Sequence, residues 1–146
     1  MKKILFITAL ATLPFVLFAQ KPLKGPFDGK TYIVEIVKEG KKKPINPSDE
    51  IKFAAGKFKT PCEDFNNWGF VKPGIYKVTS IDSSNAPVKV YSWTADVVSD
   101  IKETMTWAGT IKGDDIEGTA QLTNDKGEKK YSYTFSGKLK GKAAKK

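Results

Sequence analysis

Few residues in this chain are equipped for chemistry. They are the lone Cys62, the neighbouring acids Glu63 and Asp64, the acidic turn Asp114, Asp115 and Glu117, and a large lysine population. The chain has no histidine, so the commonest general base and the commonest zinc ligand are both missing. A Ser-His-Asp or Cys-His constellation cannot be assembled. One cysteine makes neither a four-thiolate zinc site nor an internal disulfide. The Asp114–Glu117 cluster offers the hard oxygen ligands that Ca²⁺ takes, but it lacks the twelve-residue loop spacing and reads as a solvated turn. Glu63 and Asp64 suit acid–base work as a pair, or they mark a helix start, where negative charge meets the positive end of the helix dipole. The run Thr60-Pro61-Cys62-Glu63 predicts the helix start, with Thr60 as N-cap, Pro61 as first helical residue and Glu63 reaching back. Cys62 is then either a thiol activated at that helix end or a small packed hydrophobe, and without a histidine base the packed state is expected. The expectation is a non-enzyme with no cofactor and no metal.

Charge narrows the partners. The 25 basic residues outnumber 16 acids for a net charge of +9, and every basic residue is Lys. Arginine supplies the bidentate grip on phosphates and guanine edges, whereas Lys is a mobile point charge. Diffuse attraction to an anionic surface, through Lys41, Lys42 and Lys43, fits better than specific nucleic-acid readout. The same run also serves simply as a solvated loop.

The N-terminus reads as an address. Lys2 and Lys3 precede an apolar run from Ile4 to Ala19, shorter than the roughly 20 residues a spanning helix needs. Residues 1–19 are expected to be a signal peptide, cut before Gln20, which places the protein in a secreted or periplasmic setting with no transmembrane segment after processing. A single domain over 20–140 and a Lys-rich flexible tail over 141–146 complete the expected organisation.

The elements that must position these groups are strands. Thr31–Val37 is rich in β-branched residues. Glu50–Ala54 and Lys57–Lys59 flank Gly56, and Ile75–Ile81 and Val88–Val98 flank a Ser/Asn/Pro turn. In the last third, Met105, Trp107, Gly109 and Ile111 alternate with Thr104, Thr106, Ala108 and Thr110. Ile116, Gly118, Ala120 and Leu122 alternate with Glu117, Thr119, Gln121 and Thr123, and Tyr131, Tyr133, Phe135 and Gly137 alternate with Ser132, Thr134 and Ser136. Period two over three runs joined by Gly113-Asp114 and Asn124–Gly127 predicts an antiparallel meander. The expected fold is all-β, an up-and-down antiparallel barrel of about eight strands with one short helix ending near Asn67-Trp68-Gly69.

On this pattern Tyr32, Tyr76, Trp107, Tyr131, Tyr133 and Phe135 point inward. The rings either fill a core or line a cavity for an apolar ligand. A barrel of this size accommodates either outcome. Tyrosines and tryptophans carry polar tips suited to a mostly apolar pocket, so the expected ligand-binding residues are Tyr32, Tyr76, Trp107, Gly118, Tyr131 and Tyr133. A large residue at Gly118 is expected to fill the pocket without unfolding the barrel.

Gly29-Lys-Thr-Tyr32, at the start of the first strand of a small exported barrel, resembles the lipocalin family, which carries Gly-x-Trp there. Thr31 stands where the family has the Trp that closes the barrel floor. The resemblance implies a central cavity and a small hydrophobic ligand bound without catalysis. The alternative is a filled barrel or sandwich that acts as an interaction module on an anionic surface or partner.

Overall fold

Alternating polar and apolar residues become eight strands in the structure, a computed structural model that describes residues 25–84 and 87–141. The expected signal segment, its cleavage point and the tail beyond Gly141 lie outside the described residues. The order is β1 (Thr31–Lys38), β2 (Asp49–Ala54), β3 (Lys57–Lys59), α1 (Glu63–Asn67), β4 (Gly74–Asp82), β5 (Val90–Val98), β6 (Thr104–Lys112), β7 (Asp115–Thr123) and β8 (Lys129–Leu139). Each strand pairs antiparallel with its neighbour in sequence, and β8 returns to β1, closing the barrel. The expected up-and-down barrel with one short helix is therefore the fold.

The last third keeps the anticipated register. Trp107 stands opposite Ala120, and Ala120 opposite Tyr133. Trp107, Ile116, Leu122, Tyr133 and Phe135 are buried, while Thr106, Glu117, Thr119 and Thr134 are exposed. Tight turns do what their residues require. Ala55 and Gly56 both take positive φ, 52° and 73°, the twist that joins β2 to β3 in two residues.

A column of rings fills the interior. It begins at Phe27 in the lead-in, 5.3 Å from Phe53. Phe53 meets Phe58 at 5.8 Å, Phe58 meets Trp107 at 5.1 Å, and Trp107 meets Phe65 of α1 at 5.7 Å. Such edge-on and tilted pairs add about 0.5–1.5 kcal/mol each beyond their burial. Both ends of the barrel are thus stoppered, by Phe27 at what we call the floor and by Phe65 at the α1 end.

The floor is pinned by Asp28. Its carboxylate accepts hydrogen bonds from the Gly56 N–H (2.9 Å), the Gly25 N–H (3.0 Å) and the Tyr76 hydroxyl (3.1 Å). The lead-in is thereby tied to the β2–β3 turn and to β4, which holds Phe27 against Tyr76 and Tyr91.

The helix start departs from expectation. Cys62, not Thr60, is the N-cap, with extended backbone (ψ 126°), and the first helical bond runs from Asn66 N–H to the Cys62 carbonyl. Pro61 precedes the helix. Burial decides this outcome: Thr60 and Cys62 are both pulled into the core, and the Thr60 hydroxyl has no hydrogen-bond partner. The end falls where predicted, at Trp68, followed by Gly69 with φ +87°.

Candidate functional site

Four connections meet at the α1 end: the β1–β2 loop with Lys41–Lys43, the segment carrying α1, the five-residue β5–β6 turn and the β7–β8 turn. The β5–β6 turn is held tightly. Ser99 N–H donates to the Glu103 carbonyl, Lys102 N–H donates to the Ser99 carbonyl, and Glu103 N–H donates to the Ser99 hydroxyl. Lys102 takes φ +65° in this turn, a conformation costly for a non-glycine residue, and Ile101 beside it is left 69% exposed.

Between this turn, α1 and the start of β8 lies a solvent-open cleft of about 540 Å³, mostly apolar, formed by Trp68, Ile101, Leu122 and Tyr131 with Asn67 and Glu103 at its border. Trp68 and Tyr131 are each 39% exposed, and their rings lie 6.1 Å apart and 30° from parallel. They extend the interior ring column to the surface, since Phe65 is 6.1 Å from Trp68. The Lys38 ammonium sits 3.3 Å from the centre of the Tyr131 ring, a cation–π contact. Lys130 pairs with Glu103 at the cleft edge, and that bond raises the Lys130 ammonium above its ordinary value.

Tyr131 was expected to point inward and does not. It pairs with Leu122 at the last regular position of β7–β8, where the register shifts. The strand is leaving the barrel there, so the ring turns onto Trp68 and Lys38 instead of entering the core. The other four expected rings are inside, whereas Gly118 is half-buried and borders an open groove of about 490 Å³ with Glu35, Thr119 and Thr134. Tyr32 lies edge-on to Phe53, Tyr76 stacks on Phe27, Trp107 is ringed by Phe58, Phe65 and Phe135, and Tyr133 meets Phe65 at 5.3 Å. The pocket reaching Trp107 from outside encloses only about 10 Å³, about the space of one water. Burial pushes the Tyr32, Tyr76 and Tyr133 hydroxyls up to about 12.

Gly118 has a structural task. A Cβ there would lie 2.2 Å from the Ala108 carbonyl oxygen and 2.6 Å from the Phe135 ring. The ring rests on Gly118 and on Gly109 of the adjacent strand. A large residue at Gly118 would therefore collide with the β6 backbone, and the expectation that the fold would survive it is overturned.

Beneath α1 lies a buried polar cluster. Asn46 donates from Nδ2 to Asp49 Oδ1 at 3.3 Å and to Cys62 Sγ at 3.4 Å. Asp49 is 5% exposed, its Oδ2 has no partner, and burial raises its carboxyl above the ordinary carboxylate value against the pull of Cys62 and Asn46. Burial likewise pushes the Cys62 thiol up to about 11. A buried thiol held neutral in this way has little thiolate at neutral pH. Of the acidic turn, Asp115 pairs with Lys138 at 2.6 Å. Among the described residues no three His, Cys, Asp or Glu side chains come together to hold a metal ion. Lys41, Lys42 and Lys43 are exposed and form no ion pair among the described residues.

Trp68 is the cleft residue that pattern reading missed. It sits at a helix end, just before Gly69, where no period-two signal assigns it a face. No protein-family model, no curated protein and no solved structure matches this chain.

Proposed function

We propose that this is an exported, lipocalin-like barrel that binds a small apolar ligand without catalysis, and that it does so at its α1-end cleft and not within the barrel. One observation carries the reading: Trp68 and Tyr131 stand exposed side by side in a concave, mostly apolar cleft while the interior rings pack on one another. Binding sites pair apolar walls with a few polar groups, and Asn67, Glu103 and Lys130 supply those here. The test is titration with an apolar fluorescent probe, read by Trp emission. Trp68→Ala and Tyr131→Ala should each weaken binding by roughly tenfold or more, as anchor residues do, with near-UV circular dichroism otherwise preserved. Probe binding that ignores both substitutions overturns the proposal.

A second reading rests on Lys41, Lys42 and Lys43, which project from a loop at the same end. Here the protein is an interaction module that meets an anionic surface, and binding to anionic vesicles should fall steeply between low and physiological salt. Adsorption that is indifferent to salt removes this reading.

A further inference from the structure

The barrel is closed, but β4 runs on well past its short neighbour β3, and we infer that this overhanging edge docks the same edge of a second copy of the chain. On one side β4 is paired with β5 from Ile75 to Asp82. On the other, the three-residue β3 reaches only Gly74 and Ile75, and one further bond runs from Tyr76 N–H to the Gly56 carbonyl. From Lys77 to Asp82 the outer edge of β4 has no strand beside it among the described residues. The β4–β5 hairpin projects past the β2–β3 turn, leaving Thr79–Asp82 exposed, with Ile81 56% exposed. A bare row of backbone donors and acceptors is a template for another strand.

The side chains on this edge are self-complementary, and a β-bulge makes them so. The pairing with β5 slips between Val78 and Ser80, leaving Thr79 as the extra residue. Lys77 stands opposite Thr94 and Asp82 opposite Val90, both on the outer face. Val78 stands opposite buried Trp93 and Ile81 opposite Tyr91, both on the barrel-side face. Two copies of one strand paired antiparallel about a two-fold axis require opposed residues to share a face. In a regular strand Lys77 and Asp82, five apart, would face opposite sides. The bulge restores them to one side. Centred on it, Lys77 of one copy opposes Asp82 of the other at both ends of the contact, and Val78 opposes Ile81 within.

Both charges are available for this use. Lys77 is in no ion pair among the described residues, and the exposed Asp82 carboxylate is engaged only by the nearby Ser84, through its hydroxyl and its N–H, and by no cation among them. A bulge and an edge lysine ordinarily blunt a bare strand against indiscriminate pairing. Here they leave one partner in register, because a foreign strand lacks the reciprocal Asp and Lys.

Sedimentation analysis at low salt tests the contact. The wild-type chain should dimerise. Lys77→Glu and Asp82→Lys should each raise the dimer dissociation constant by roughly tenfold or more, since each places like charges opposite one another twice. An equimolar mixture of the two variants should dimerise, because both cross-pairs are then of opposite sign, and the double variant should dimerise alone. Both sites are exposed, and unchanged near-UV circular dichroism verifies the fold. A wild-type chain that stays monomeric to about 1 mM, the limit of a weak specific contact, overturns the inference. So does dimerisation that ignores both charge reversals, or a mixture no better paired than its components.

Discussion

The two ends of the barrel are closed by the same device, a phenylalanine driven into the ring column, yet they differ in how their polar groups are treated. At the floor, the Asp28 carboxylate gathers two backbone N–H groups and the Tyr76 hydroxyl, and Phe27 is locked beneath them. At the α1 end, Asp49 Oδ2, Thr60 Oγ1, Asn66 Oδ1 and the Tyr133 hydroxyl are buried without partners, and two large rings are part-exposed; the Tyr32 hydroxyl toward the floor and Trp93 Nε1 on β5 are likewise unpaired. Buried polar atoms left unpaired cost about 1–3 kcal/mol each, and exposed apolar clusters mark binding surfaces. The ends therefore differ chiefly in exposure: the floor ties its lead-in down through Asp28, and the α1 end leaves Trp68 and Tyr131 part-exposed.

The sharpest way to break that contrast is truncation at each end. Phe27→Ala should cost roughly 3–5 kcal/mol, as a buried ring does, measured by urea unfolding. Trp68→Ala should cost less than about 1 kcal/mol while removing probe binding. Equal costs would erase the distinction. Next, Asp28→Ala should lose about 2 kcal/mol, because it strands the donors that its charge satisfied, and tryptic cleavage at Lys30 should accelerate.

Asp49 gives the α1 end an acid-range titration, while both ends share the alkaline one. Asp49 is raised in the fold, so the folded state holds its proton more tightly than the unfolded chain does. Its contribution is complete in acid and is lost as pH rises through the folded value. Asp49→Asn should raise the thermal midpoint at pH 7 and flatten that slope. The raised groups Cys62, Tyr32, Tyr76 and Tyr133 follow the same sign at higher pH. Their stabilising effect is present below the ordinary values of 9.0 and 10.0 and disappears toward about 11 and 12. Ultraviolet titration should show these three tyrosines ionising late and together with unfolding. The smallest effect concerns the two non-glycine residues at positive φ, one at each end. Ala55→Gly and Lys102→Gly should each stabilise by up to about 1 kcal/mol. Only Lys102→Gly, by loosening the turn that presents Ile101, should also weaken probe binding.

The sequence was most legible where one physical rule acted alone. The strands of the last third follow from alternation and turn residues, since a half-buried sheet imposes period two and little else competes with it. Thr60 failed as a cap because the local hydroxyl signal was outweighed by burial of Thr60 and Cys62, a tertiary effect with no local trace. Tyr131 keeps the inward phase of β8, yet the phase does not say where a strand outruns the barrel. The cleft was illegible for the same reason: Trp68 after α1, Ile101 in the β5–β6 turn and Tyr131 at the start of β8 are distant in sequence and meet only once the barrel closes. Filling of the interior was undecided in the sequence because large rings beside glycines describe both a pocket and an interdigitated core; Phe135 seated on Gly109 and Gly118 shows interdigitation there.

The meander order has a kinetic consequence. Seven of the strand pairings join neighbours in sequence, through connections that run from two residues at β2–β3 to fourteen at β3–β4, so closing each costs far less entropy than closing the seam. The eighth, from Tyr32 opposite Leu139 to Lys38 opposite Tyr133, spans nearly the whole barrel sequence. Hairpins can zip in any order, but the seam between β1 and β8 forms only after β8 is complete. Until then the chain is a curling ribbon with two bare edges, and that interval is when it is most exposed to aggregation. The rate of barrel closure should therefore respond most to changes along that single seam.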